Sequence, residues 1–207
     1  MGTRGALIFR IDGQDKVIYN HFDSYPSGLG KSVVVYLQTR TDTEEIEELR
    51  REVRNLKVLK GKPTKKHLER AEAMGVFDPH VGGETLEYYN LARGCQGDIE
   101  KILRLGFYED CSSFLQDSLF CEYAYALDLD ANVLEIYKGF QAAPHTKGRY
   151  GNLIQQDSEY YPVALVKTFP LDALPDPEKL DDIVNESEVE ELVREATPCY
   201  KDAQVQK

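Results

Sequence analysis

An α+β fold, with an antiparallel sheet formed by an N-terminal hairpin and later strands and with helices packed on it, follows from three features of this 207-residue chain. Strand-like runs flank Asp12-Gly13, amphipathic helical patterns occupy most of residues 41–105, and the hydrophobic period returns to that of strands between Phe120 and Phe169.

The hairpin pairs a strand over Arg4 to Ile11 with one over Lys16 to Phe22. Its register is open between two turns. If Asp12-Gly13 alone turns the chain, Arg4 falls opposite His21; a loop from Asp12 to Asp15 would put Arg4 opposite Asp23. The loop Ser24-Tyr25-Pro26-Ser27-Gly28-Leu29-Gly30 follows, and Lys31 to Gln38 is expected to be a helix fed by it. A capping box, Thr41-x-x-Glu44, starts the next helix, in which Ile46, Leu49, Val53 and Leu56 recur at helical spacing. Shorter helices are expected at Lys65 to Met74, Thr85 to Ala92 and Asp98 to Leu105. Strands follow at Phe120 to Asp128, Val133 to Tyr137 and Tyr161 to Phe169, with a polar loop over Gln141 to Asn152 that contains His145, Lys147 and Arg149. After Pro175 and Pro177, Glu178 to Ala196 has the pattern of an acidic helical pair. The expected organisation is therefore a single domain over residues 1–172 with an acidic helical segment, 173–207, packed on it and frayed at its end.

Composition narrows the function classes. With 25 Lys and Arg against 36 Asp and Glu, the formal charge is −11, which repels phosphate backbones and anionic lipid. Nucleic acid and membrane are therefore unexpected partners. No apolar run approaches the roughly 20 residues of a spanning helix, and Arg4, Arg10 and Asp12 interrupt the start before an apolar signal region could form; a cytoplasmic location is expected. Cys95, Cys111, Cys121 and Cys199 show neither a C-x-x-C pair nor a zinc-spaced histidine. Reduced thiols, no metal and no cofactor are the expectation.

Three constellations could carry chemistry. Alternate residues of a strand share a face, so Tyr19, His21 and Asp23 project together from the hairpin end, where His21 would be a general base oriented by Asp23. The other possibility is a polar pair that only fixes the hairpin register. Gly30-Lys31-Ser32 matches the end of a phosphate-binding loop, but Tyr25 stands where its first glycine belongs and Pro26 removes a donor; Tyr125 to Asp128 would be the accompanying acidic strand. In its weaker form this loop holds one anion through Ser27, Gly28, Gly30 and Lys31. The Gly2-Thr3 junction, finally, has the form at which N-terminal-nucleophile hydrolases free a threonine, which keeps a layered αββα sandwich open as the alternative fold.

Met1-Gly2-Thr3-Arg4-Gly5 together with Tyr19-Asn20-His21-Phe22-Asp23-Ser24-Tyr25-Pro26-Ser27-Gly28-Leu29-Gly30 resembles a family of uncharacterised phage, bacterial and fungal proteins that begin Met-Gly-Thr-Arg. The segment Ser118 to Tyr125 looks like the fungal members. The resemblance carries no activity, and it implies that Gly30-Lys31-Ser32 is incidental.

The expectation for function is an amide or ester hydrolase or acyltransferase acting on a small molecule. His21 is its base, Asp23 orients that base, Thr3 or Tyr19 supplies a hydroxyl, and Arg4 with Ser27, Gly28, Gly30 and Lys31 holds an anion. The competing expectation is a non-catalytic binding protein whose acidic helices meet a basic protein partner. Anion or nucleotide binding through the Gly28–Ser32 loop is the third.

Overall fold

The computed structural model describes residues 2–40, 42–80, 87–154 and 159–186. Strands β1 (Gly5–Ile11) and β2 (Gln14–Asn20) form the expected hairpin. Asp12 and Gly13 both have positive φ, 52° and 73°, the backbone of a two-residue hairpin turn. The Asp130 carboxylate caps that turn, accepting from the N–H groups of Asp12 and Gly13 at 2.8 Å each, and Arg54 pairs with Asp12.

A π-helical turn over Pro26–Gly30 leads into α1 (Lys31–Gln38), as expected of a loop feeding a helix. Helix α2 (Thr43–Asn55) starts later than its sequence signature suggests. The capping box is Asp42 with Glu45, not Thr41 with Glu44: Asp42 takes the extended conformation and its carboxylate accepts from the Glu45 N–H at 2.9 Å. Thr41 lies outside the described residues. Then come β3 (Lys57–Val58), α3 (Lys65–Ala73), α4 (Tyr88–Leu91), α5 (Ile99–Leu105) and β4 (Phe107–Tyr108). The parallel β3–β4 pair is only two residues long on each side, too short to leave a period in the sequence.

Strands β5 (Tyr123–Asp128), β6 (Val133–Lys138) and β7 (Ala164–Pro170) complete a sheet of order β2-β1-β5-β6-β7. The sheet is mostly antiparallel; β5 runs parallel to β1, because the intervening helices return the chain to the same edge. No second stacked sheet of the αββα kind forms among the described residues, so that alternative falls. Two strands begin later than expected. Residues Asp117 to Cys121 turn on the Asp117 carbonyl before β5, and the N–H groups of Tyr161 and Val163 bond to Gln141 and Leu115 rather than to β6.

Both faces of the sheet are covered, which is why β1 is an almost unbroken apolar run. On one face Leu7, Phe9, Ile18, Tyr125, Leu127 and Ile136 meet Val33, Val34, Leu49 and Val53 of the helices. Residues 180–186 are helical, and Leu180 and Val184 are fully buried in the same core. The expected acidic helix beyond 186 lies outside the described residues. On the other face Ala6, Ile8, Val17, Ala124 and Ala126 pack under Leu115, Tyr150 and Val163. No described helix is long and apolar enough to cross a membrane.

Candidate functional site at the hairpin end

Gly5 pairs with Asn20 at the open end of the hairpin, so Arg4 and His21 are the next residues opposite each other. This is the register of the two-residue turn and excludes an Arg4–Asp23 pairing. Beyond it the chain closes into a dense joint. Buried Asn20 donates through Nδ2 to the Phe22 carbonyl at 2.5 Å and to Ser24 Oγ at 2.8 Å. Ser24, also buried, donates its N–H to the Thr3 carbonyl at 3.1 Å, and the Tyr125 hydroxyl donates to the Ser24 carbonyl at 2.9 Å. Two glycines leave no room for side chains here: a Cβ on Gly5 would stand 2.3 Å from the Tyr123 carbonyl oxygen, and one on Gly28 2.1 Å from that of Asp23.

The expected acid–base pair does not assemble. Asp23 takes a left-handed backbone, φ 48°, its side chain is exposed, and its carbonyl accepts from the Leu29 N–H at 2.8 Å. Among the described residues no hydrogen bond joins its carboxylate to His21. Instead the Tyr19 hydroxyl meets His21 Nδ1 at 2.8 Å, and the Gln96 side-chain oxygen accepts from the His21 backbone N–H at 2.6 Å. Burial, reinforced by the positive charges of Arg93 and Arg4, holds the His21 imidazole below its ordinary pKa. That is the opposite of the basicity an orienting carboxylate would confer. Burial pushes the Tyr19 phenol up, so its proton stays on.

The phosphate-loop reading fares no better in its geometry. The N–H groups of Gly28 and Gly30 bond to the Tyr25 carbonyl, that of Leu29 to Asp23, and that of Lys31 to Gly28 and Pro26, so they turn inward and cradle nothing. Lys31 pairs with Glu178 at 2.5 Å, Ser32 bonds back to the Gly28 carbonyl, and Ser27 is exposed. Asp128, the partner acid proposed for that loop, belongs to a paired cluster on the other face of the sheet. Arg149 reaches Asp128 at 2.5 Å and Glu135 at 2.7 Å, Arg10 reaches Asp15 at 2.8 Å, and Tyr137 and Tyr150 donate to Glu135 and Asp15.

What surrounds His21 instead is a set of rings and guanidinium groups. Phe22 and Tyr89 stand T-shaped to the imidazole at centroid distances of 4.4 and 5.3 Å, and Phe114 packs on Tyr19 at 5.2 Å. The Arg93 guanidinium lies 4.5 Å over the Phe22 ring and bonds to the Tyr89 hydroxyl, while that of Arg4 lies 4.6 Å over Phe120. Phe22 and Phe120 are 40% and 42% exposed, large values for phenylalanines. Among the described residues neither guanidinium makes an ion pair. A groove of about 600 Å³ adjoins the patch, lined in part by Phe22, Ser27, Lys31, Val35 and Gln96.

Arg4 and His21 were legible as neighbours in the sequence, whereas Tyr89, Arg93, Gln96 and Phe120 reach the hairpin end only through the fold. One signal was present: Tyr89 and Arg93 are four residues apart, the spacing at which side chains meet on a helix. A larger cavity of about 840 Å³, between α1, α2 and the β6–β7 end, is lined by Arg40 and Arg50. The Arg50 donors there are engaged by the Leu129 carbonyl, Asn132 and Glu47, and Arg40 bonds to Tyr36 and Thr39. No group of His, Cys, Asp and Glu among the described residues could hold a metal ion.

Comparison of the chain with protein-family models, with curated proteins and with solved structures found no match.

Proposed function

We propose that this chain is a non-catalytic binding protein whose recognition face is the hairpin end around Arg4, His21 and Arg93. The observation that carries the reading is the fate of the polar groups between Asn20 and Gly30. Asn20, Ser24 and the loop N–H groups are engaged in holding the chain together. Acyl transfer needs an activated nucleophile beside backbone donors for the oxyanion; among the described residues burial keeps the Tyr19 phenol protonated, and the N–H groups of the Gly28–Lys31 turn are engaged by carbonyls. Two guanidinium groups on exposed rings, flanking an imidazole kept neutral, suit recognition instead.

The test is turnover. Purified protein is assayed on activated esters and anilides, beside His21→Ala and Thr3→Ala. Background hydrolysis should be unchanged within about twofold in both variants. Loss of roughly 100-fold or more in either, the scale of a removed general base, would overturn the binding reading in favour of the hydrolase.

A further inference from the structure

We propose that Arg4, the Nε2–H of His21 and Arg93 together receive one carboxylate of an acidic peptide segment in a partner protein, and that the neighbouring apolar side chain of that segment lies against Phe22 in the adjoining groove. This rests on the binding reading above and names its ligand.

The donor assignment comes from the tautomer. The Tyr19 hydroxyl and His21 Nδ1 are 2.8 Å apart, and the phenol has no other acceptor among the described residues; we assign its proton to this bond, which puts the proton of the neutral ring on Nε2. Nε2 has no hydrogen-bond partner among the described residues, and His21 is only partly buried. Arg4 stands opposite His21 across the hairpin, where cross-strand side chains are neighbours. Arg93 is joined to it through Phe22 and Tyr89, each of which touches both residues. Both arginines depress the charge on His21, so both act at close range. Each guanidinium lies over a ring and, among the described residues, has no carboxylate partner; Arg93 gives one donor to the Tyr89 hydroxyl and keeps others for an oxyanion.

Charge and shape select the carrier. A chain of formal charge −11 repels a polyanion strongly, whereas one carboxylate at a local cationic patch meets a far smaller long-range repulsion. The patch itself is a shallow surface, whereas small-molecule sites enclose most of their ligand. The groove beside Phe22 reaches Leu29 and Val35, apolar side chains against which the residue next to the carboxylate can lie, with Asp23 and Lys31 also on its lining.

The experiment uses the full chain, isotope-labelled, titrated with acetyl-Ala-Glu-Phe-Ala amide and with the same peptide carrying Gln for Glu, while the His21, Phe22 and Gln96 resonances are followed. The Glu peptide should shift these signals saturably and bind about tenfold more tightly than the Gln peptide. Arg4→Gln and Arg93→Gln should each weaken it by roughly tenfold with an otherwise unchanged spectrum. Absence of saturable shifts at His21, equal binding of the two peptides, or full binding by the Arg4→Gln/Arg93→Gln double variant would overturn the proposal. Tighter binding at the same residues by an oligothymidine, by phenyl phosphate or by vesicles containing anionic lipid would overturn the assignment to an acidic peptide. Peptide binding can fail without any His21-dependent turnover, so this result is distinct from failure of the binding reading.

Discussion

The Tyr125 hydroxyl and the Ser24 carbonyl, 101 positions apart in the chain, meet in a buried hydrogen bond of 2.9 Å that ties β5 to the loop after the hairpin. Tyr125 is completely buried and its phenol is pushed far up by that burial, so it stays neutral and keeps the proton it donates. The bond explains why a polar atom is placed in the middle of the main core.

Tyr125→Phe keeps the ring and removes the donor, leaving the Ser24 carbonyl unpaired where water does not reach. A loss of about 1–3 kcal/mol is expected. For a chain of this size that corresponds to a lowering of the melting temperature by roughly 2–4 °C per kcal/mol, read by thermal denaturation. An unchanged melting temperature would show that the joint does not depend on this bond.

Gly28→Ala should be far more damaging than Gly13→Ala, although both change the same atom count. At Gly28 the new Cβ would be 2.1 Å from the Asp23 carbonyl oxygen, a backbone atom that cannot move aside. The cost is expected at or above about 3 kcal/mol, the upper range for overpacking. Gly13 has open space around it and only a positive φ of 73°, so its alanine variant should lose roughly 1–2 kcal/mol. Chemical denaturation midpoints of the two variants give the comparison.

His21 should titrate below 6.5 in the folded protein, because burial and then Arg93 and Arg4 disfavour its charge, while the facing Tyr19 phenol keeps its proton. Arg93→Gln should move its midpoint upward, as seen in the imidazole proton resonances against pH. A depressed folded pKa means that the unfolded chain binds the proton more readily. The associated stability is therefore present above pH 6.5 and is lost as the pH falls through the folded midpoint.

Arg149→Met should destabilise by about 3–5 kcal/mol at neutral pH, because it leaves Glu135 without its cation and Asp128 with only the longer 3.6 Å contact to Arg10. Burial raises the Asp128 carboxyl, but the Ala131 N–H, Arg149 and the Asp130 N–H together hold it below its ordinary value of 3.8. Its stabilising contribution is thus present above pH 3.8 and fades as the pH falls further. The difference between wild type and Arg149→Met should shrink over the same range, measured by denaturant unfolding at stepped pH.

What could be read from the chain alone was whatever rests on neighbouring residues: the Asp12-Gly13 hairpin, the helix after the Gly-rich loop, the periods of α2 and α5, and the strands around Leu134 and Val166. These depend on backbone sterics and on local hydrophobic period, so a short window contains the cause. The sequence also singled out Tyr19 to Gly30 by its aromatic, polar and glycine content, but only the tertiary structure decided what its residues contact. Whether Asp23 faces His21 depends on a left-handed turn held by Leu29; whether the Gly28–Gly30 donors are free depends on the Tyr25 and Asp23 carbonyls. Arg93 and Phe120 stand some seventy and one hundred positions from His21, and the parallel return of β5 beside β1 is what carries Phe120 there. Contacts at such separations come from packing two covered sheet faces, a constraint on the whole chain that no local pattern encodes.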